Sequence, residues 1–294
     1  MSVIDCHVHL YPPAVNRAPG AWAAAHGEGH WATLCTRRRQ NGQAVQTFPN
    51  LPQLLRAMDA ADVARVVLLG WYWEKPANCA AQNRFYARCV KAHPDRLSAF
   101  ATLHPAAGRA ATLQEVRRAH GEGLCGLGEL SPQSQGYGMD DPVFGAVLAL
   151  AAKLRLPVNL HVTDPESRSY PGRVETPLKD FARLARKFPA TTFILAHWGG
   201  LLPLRDAKAL ELSNLFYDTA ASPLLYAEDI WRRFLSAVPK ERVLFGSDYP
   251  LNVYPRIDAQ PDMARMVAEV HRAGLTADEL HAVVRANATR LIRW

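Results

Sequence analysis

The feature that most constrains this chain is an eightfold alternation of short apolar runs with helical segments. The runs are IDCHVHL, ARVVLLGW, LSAFATLH, LCGLGEL, PVNLHV, TFILAHWG, LFYDTA and RVLFGSDYP. They are rich in β-branched, aliphatic and aromatic side chains, the composition of strands buried on both faces. Between them lie stretches with apolar residues at helical spacing, among them LPQLLRAMDAADV, AQNRFYARCVKAHP, DPVFGAVLALAAKLRL and TPLKDFARLARKFP. Strands that alternate with helices require a parallel sheet covered by those helices. Eight such units in 294 residues have the size and count of a (β/α)8 TIM barrel. A doubly wound open sheet would carry a glycine-rich phosphate loop after an early strand. GLGEL lacks the GxGxxG spacing and opens no helix. The sequence thus predicts a single barrel domain over residues 1–294.

One stretch breaks the rhythm. Residues 11–49 hold Gly, Pro, Trp22, Trp31 and the run Arg37, Arg38, Arg39 without clean periodicity. They are expected to form a lid-like excursion after strand 1 that is too irregular to bury a core of its own. His26 and His30 have the spacing of one helix face, but Gly20, Gly27 and Gly29 argue against a stable helix there.

The formal charge is +7, mostly from arginines spread singly, such as Arg183, Arg186, Arg232 and Arg233. A nucleic-acid footprint is a concentrated basic patch with stacking aromatics. The run Arg37–Arg39 is expected to be solvated, in the excursion rather than on the barrel mouth, so a nucleic-acid partner is not favoured. A cleft that draws small anions is the next reading of the charge. No apolar run approaches the roughly 20 residues that span a bilayer, and no basic segment precedes an apolar one as in a signal peptide. Five scattered cysteines without a CxxC pair suit reduced thiols and a cytoplasmic location.

In IDCHVHL, strand alternation puts Asp5, His7 and His9 on one face. Two adjacent imidazoles repel if both are protonated, whereas two neutral ones suit a shared divalent metal. Two buried, hydrogen-bonded histidines are the plainer alternative, so the rest of the chain must decide. The chemistry of a barrel gathers at the C-terminal ends of its strands. There stand His7 and His9 on strand 1, Glu129 on strand 4, His161 on strand 5, His197 on strand 6 and Asp248 on strand 8. Each is a potential metal ligand, and all face one opening. Asp5 lies one pleat deeper and is expected to hydrogen-bond within the barrel.

The set DCHVH, GLGEL, NLHV, LAHWGG and LFGSDYP resembles the metal-dependent amidohydrolase superfamily, and more narrowly its amidohydrolase-related branch of lactonases and non-oxidative decarboxylases. The resemblance runs from Ile4 to about Asn287. It implies that His7, His9 and Asp248 bind one divalent metal, zinc or manganese, and that His161 and His197 bind a second if two are present. Glu129 stands where relatives carry a bridging lysine carbamate or carboxylate. No lysine ends this strand, which leaves Glu129 as the bridge or as a carboxylate that orients a histidine. With a single metal, His197 would act on the water instead. The resemblance also makes Asp248 the residue that takes a proton from that water and passes it to the leaving group.

Substrate contacts are expected from loops beyond the strands: Trp71, Tyr72 and Trp73, His104, Arg173, Trp198 and Tyr254. Aromatics around a metal suit a flat or cyclic acid, and Arg173 is placed to pair with a carboxylate. The resemblance implies first a hydrolase of a small ester, lactone or amide. The alternative is a non-oxidative decarboxylase of an aromatic or dienoic acid. Some decarboxylases of the branch open with ExH, whereas this chain has HxH. A TatD-like nuclease and a non-catalytic binding module rank lower. Helices on the barrel exterior leave room for a homodimer.

Overall fold

A computed structural model describes residues 2–252 and 260–293. Eight parallel strands follow one another around a single sheet in chain order. They are β1 (Val3–Val8), β2 (Val63–Leu68), β3 (Leu97–Ala101), β4 (Gly126–Leu130), β5 (Val158–Leu160), β6 (Phe193–Leu195), β7 (Leu215–Asp218) and β8 (Val243–Leu244). Just past β8 the chain returns to β1. Cys6 N donates to Phe245 O at 2.8 Å and Asp248 N to His7 O at 2.9 Å, which brings the ring close to closure.

Side chains alternate between two clusters. Leu97, Ala99, Phe193, Leu195, Val243 and Phe245 point outward into the large core beneath the helices. Ile4, Cys6, Val67, Phe100, Ile194 and Leu244 touch one another. This second cluster joins residues of β1, β2, β3, β6 and β8, strands that are not all neighbours in the sheet, and so lies inside the barrel. These residues precede the ligand candidates on their strands, so they form a dry floor below the mouth.

The excursion departs from expectation. It contains three short helices, α1 (Pro13–Arg17), α2 (Pro19–His26) and α3 (Gly29–Cys35). Gly27, at a left-handed φ of 70°, ends α2 rather than abolishing it. The excursion also buries a core after all, because Tyr11, Val15, Trp31 and Cys35 pack against Trp71, Tyr72 and Trp73 from the loop after β2. Next comes α4 (Leu51–Ala60), opened by an Asn50–Gln53 capping box. The longer helices α5 (Pro76–Ala92), α6 (Arg109–Gly121), α7 (Pro142–Leu154) and α8 (Leu178–Lys187) follow β2 to β5. No described helix is long and apolar enough to cross a membrane.

Candidate metal centre

At the C-terminal mouth the strands bring His7, His9, Glu129, His161, His197 and Asp248 together. Three overlapping groups, His7–His197–Asp248, His7–His9–Glu129 and Glu129–His161–His197, each hold their ligand atoms within 4.8 Å of one another. All but His161 are buried. The backbone is bent to present two of them: His197 and Asp248 have φ of 56° and 64°. Non-glycine residues seldom adopt that region, and they do so disproportionately at functional sites.

Hydrogen bonds behind the imidazoles fix which nitrogen faces the centre. His7 Nδ1 lies 3.0 Å from Asp218 Oδ2. His9 Nδ1 lies 3.1 Å from Leu69 O, and His197 Nδ1 lies 3.1 Å from Ala220 O. Those oxygens only accept, so in the neutral rings the proton sits on Nδ1 and Nε2 is a bare lone pair. The Nε2 atoms of His7 and His9 face each other at 3.2 Å. Asp248 Oδ1 lies 3.7 and 3.6 Å from them, and Glu129 Oε2 is 3.8 Å from His9 Nε2. Lone pairs and carboxylates that converge in this way require a positive charge between them, and a divalent cation fits the set of nitrogen and oxygen donors.

Electrostatics agree. Burial alone would lower His7, yet Asp218, Glu129 and Asp248 raise it to about 10. Burial and the neighbouring His7 pull His9 down. Burial would raise Glu129, but His161, His197 and His7 hold it well below the usual carboxylate range. His197 is raised, since Glu129 and Asp248 outweigh its burial. The pocket is thus a strongly negative field lined with imidazoles.

Glu129 straddles the centre. Its Oε1 is 2.9 Å from His161 Nδ1 and 3.6 Å from His197 Nε2, while Oε2 turns to His9. Gly128 makes this possible. At φ 138° it runs so close to β5 that a Cβ would lie 2.7 Å from Asn159 O.

Asp218, at the end of β7, is a supporting residue that the sequence pattern alone does not reveal. It accepts from Asn159 Nδ2 at 2.9 Å and from His197 N at 3.2 Å as well as facing His7. LFYDTA shows no more than a carboxylate at a strand end, like those of β4 and β8. Asp5 takes the structural place expected of it, accepting from His7 N and from Ser247 N and Oγ.

The centre opens into a cavity of about 930 Å³. Trp71 lines it and meets the His9 ring edge-on at 5.2 Å, and Tyr72 lies 5.3 Å from His161. Four of the other residues expected to touch substrate are elsewhere. Trp73 is buried against Trp22 and Trp31 with its indole N–H on Gln82, because the excursion supplies the apolar partner it needs. Trp198 is buried between Trp231 and Phe234, on the helix side of the barrel. His104 is held by Gln135 O and Ala106 N. Arg173 is held by Ser167 and by Glu175, at 3.0 Å each. None of these four is among the described residues that line the cavity. Tyr254 lies outside the described residues. Conversely, Arg37, Arg38 and Arg39, expected away from the mouth, line the cavity together with His30, Leu34 and Cys35. The excursion is one of its walls.

The sequence matches the family model described as amidohydrolase over residues 4–294. The chain belongs to the amidohydrolase family. Among solved structures it is similar to 2,6-dihydroxybenzoate decarboxylase from Rhizobium, with a TM-score of 0.71, 17% identity, and 99% of this chain and 98% of that one covered. It is similar to 5-carboxyvanillate decarboxylase from Sphingomonas paucimobilis, at TM-score 0.75 and 18% identity over 99% and 98%. A third similar structure is 5-carboxyvanillate decarboxylase from Novosphingobium aromaticivorans, complexed with manganese and 4-hydroxy-3-methoxy-5-nitrobenzoic acid. It has TM-score 0.76 and 14% identity over 99% and 95%. These likenesses establish the shared fold. No curated protein matches the chain.

Proposed function

We propose that this amidohydrolase is a metal-dependent lyase that removes carbon dioxide, without oxidation, from a planar carboxylate-bearing aromatic acid. The observation that carries this reading is the build of the cavity. Its floor is the imidazole–carboxylate centre, its side wall next to that centre is the flat pair Trp71 and Tyr72, and its outer wall is basic. A flat anion fits that sequence of surfaces. The similar structures that act on 2,6-dihydroxybenzoate and 5-carboxyvanillate lend support, as does the manganese in one of them.

In this reading His7, His9 and Asp248 hold a divalent ion, zinc or manganese, with Glu129, His161 and His197 completing the rim. The ion would supply the positive charge that binds and polarises the oxygens of the acid. The chain's own groups handle the proton. Loss of carbon dioxide breaks the carbon–carbon bond, and the electron pair left on the ring carbon takes a proton from water of the cavity, relayed through Asp248 or His197. His197 lines the cavity beside the centre, its Nε2 3.6 Å from Glu129 Oε1, which places it on the side from which a proton would come.

Hydrolysis, expected first from the HxH opening, remains as a second reading with its own observation. Glu129 turns its two oxygens towards different histidines, the arrangement of a cradle for two ions. Metal content by plasma mass spectrometry and product analysis separate the two. One ion per chain and carbon dioxide released from a hydroxybenzoate panel support the lyase. Two ions, no carbon dioxide, and ¹⁸O from labelled water in a product acid overturn it in favour of hydrolysis. Asp248→Asn is expected to keep the fold and lose activity by about 10²-fold or more. Wild-type turnover by that variant would remove Asp248 from the chemistry.

A further inference from the structure

Arg37 is a polar group of this cavity that the centre does not use. It is half-buried, its guanidinium carbon lies 5.1 Å from the centroid of the Tyr170 ring, and its Nε is buried without a hydrogen-bond partner among the described residues. No described carboxylate pairs with it within 4.0 Å. The acids nearby are committed elsewhere: Glu166 pairs with Arg205 at 3.0 Å, and Asp164 accepts from Tyr226. A guanidinium taken partly out of water and left without a counter-charge is costly unless something else supplies the anion. Trp71 Nε1, on the same cavity, is likewise a buried donor without a described partner. Gln46 Nε2 is a third, and all three of these orphaned atoms on the described cavity wall are nitrogen donors.

The wall that carries Arg37 is held in place. His30 Nε2 reaches Gly172 O at 2.9 Å, tying α3 to the loop after β5 on which Arg168 and Tyr170 also line the cavity. Arg37 is also within electrostatic reach of the centre's surroundings. The Cys35 thiol is raised chiefly by burial; Asp248 and Glu129 raise it further, while Tyr11 and Arg37 lower it.

The geometry points to a second anion subsite formed by Arg37 and Arg168 beside Tyr170, which takes a carboxylate remote from the reacting one and makes the substrate a dicarboxylic acid. This deepens the reading of the cavity as the active site. Arg37 is the specificity residue, held by its stacking on Tyr170 so that its fork meets a carboxylate edge-on. Exposed Arg168 adds charge from the facing loop.

Calorimetric titration with isophthalate and with benzoate, on the protein as purified and again with added Mn²⁺, tests the subsite. Isophthalate should bind at least tenfold more tightly than benzoate. Arg37→Met should abolish most of that ratio while leaving benzoate affinity and melting temperature in place, Arg37→Lys should restore part of it, and Arg168→Met should reduce it less. Equal affinity of the two probes in the wild type, no binding of isophthalate, or an equal loss for both probes in Arg37→Met would overturn the subsite. The preference is independent of turnover. A preserved isophthalate preference without carbon dioxide release from any acid would overturn the lyase reading alone.

Discussion

At the scale of single residues, the centre depends on groups that never reach its middle. Asp218 faces His7 Nδ1 at 3.0 Å and is wholly buried. Burial would raise its carboxyl, but His7 and His197 hold it below the usual carboxylate range, so it is an anion that keeps the His7 proton on Nδ1. Asparagine in its place offers an amide that can donate as well as accept, and the His7 ring is then free to turn or to change tautomer. Losing such a support to a ligating histidine typically weakens metal affinity by about 10–100-fold. Asp218→Asn is therefore expected to show that loss in a competition titration against a chromophoric chelator, with little change in far-ultraviolet circular dichroism. Wild-type affinity would show that His7 is oriented by packing alone. Asp218 is not legible in the sequence, because LFYDTA shows only one charged residue in an ordinary strand. What it does depends on His7, 211 residues away, coming within hydrogen-bond distance.

At the scale of elements, strands were far more legible than loops. A buried parallel strand must be apolar on both faces, so all eight runs declare themselves, and the ligands that break the pattern at their ends stand out. The excursion obeys no such rule. Its helices are short and its glycines look like breakers, yet Trp31 and Tyr11 find apolar partners in Trp71 and Trp73. That long-range packing moved Trp73 from the substrate to the core and carried Arg37–Arg39 to the mouth.

What fastens the excursion is Glu28, wholly buried between α2 and α3. Its carboxylate accepts from Glu74 N at 2.7 Å, Lys75 N at 3.1 Å and Asn78 Nδ2 at 2.6 Å, at the N-terminus of α5. In return Glu74 accepts from His30 N at 2.8 Å. Glu28→Ala leaves Glu74 N and Lys75 N without this acceptor and Asn78 Nδ2 with only His26 O at 3.3 Å, and should cost on the order of 3 kcal/mol locally. The expected readout is faster limited proteolysis within residues 36–44 while the barrel fragment persists. Digestion at the wild-type rate would mean that the aromatic cluster alone holds the wall.

At the scale of the whole molecule, the helices after β7 and β8 must be fastened to a ring whose closing strand is only two residues long. Asn287 and Arg232 supply two of the fastenings among the described residues. Asn287 Nδ2 donates to Val243 O at 2.8 Å, joining the C-terminal helix to β8 itself. Arg232, on the helix Ile230–Leu235, pairs with Glu279 Oε2 at 2.6 Å, on the helix Ala277–His281. Glu279 also closes the capping box with Thr276, so one carboxylate starts a helix and ties it to its neighbour. Arg232 and the Thr276 backbone lower its pKa from 4.5 to about 2. A folded pKa below the unfolded one means stability that is fully present above about pH 4.5 and fades as the pH falls towards 2. The pair is partly solvated, which limits its worth to about 0.5–1 kcal/mol. Glu279→Gln keeps a side chain able to close the capping box and removes only the charge. It should lower the melting temperature by about 1–3 °C at pH 7. Between pH 5 and pH 3 the gap from the wild type should shrink, because the unfolded wild-type chain gains the proton that its folded form refuses. A gap that stays constant across that range would show that the charge of Glu279 does not fasten these helices, and that the capping hydrogen bonds suffice.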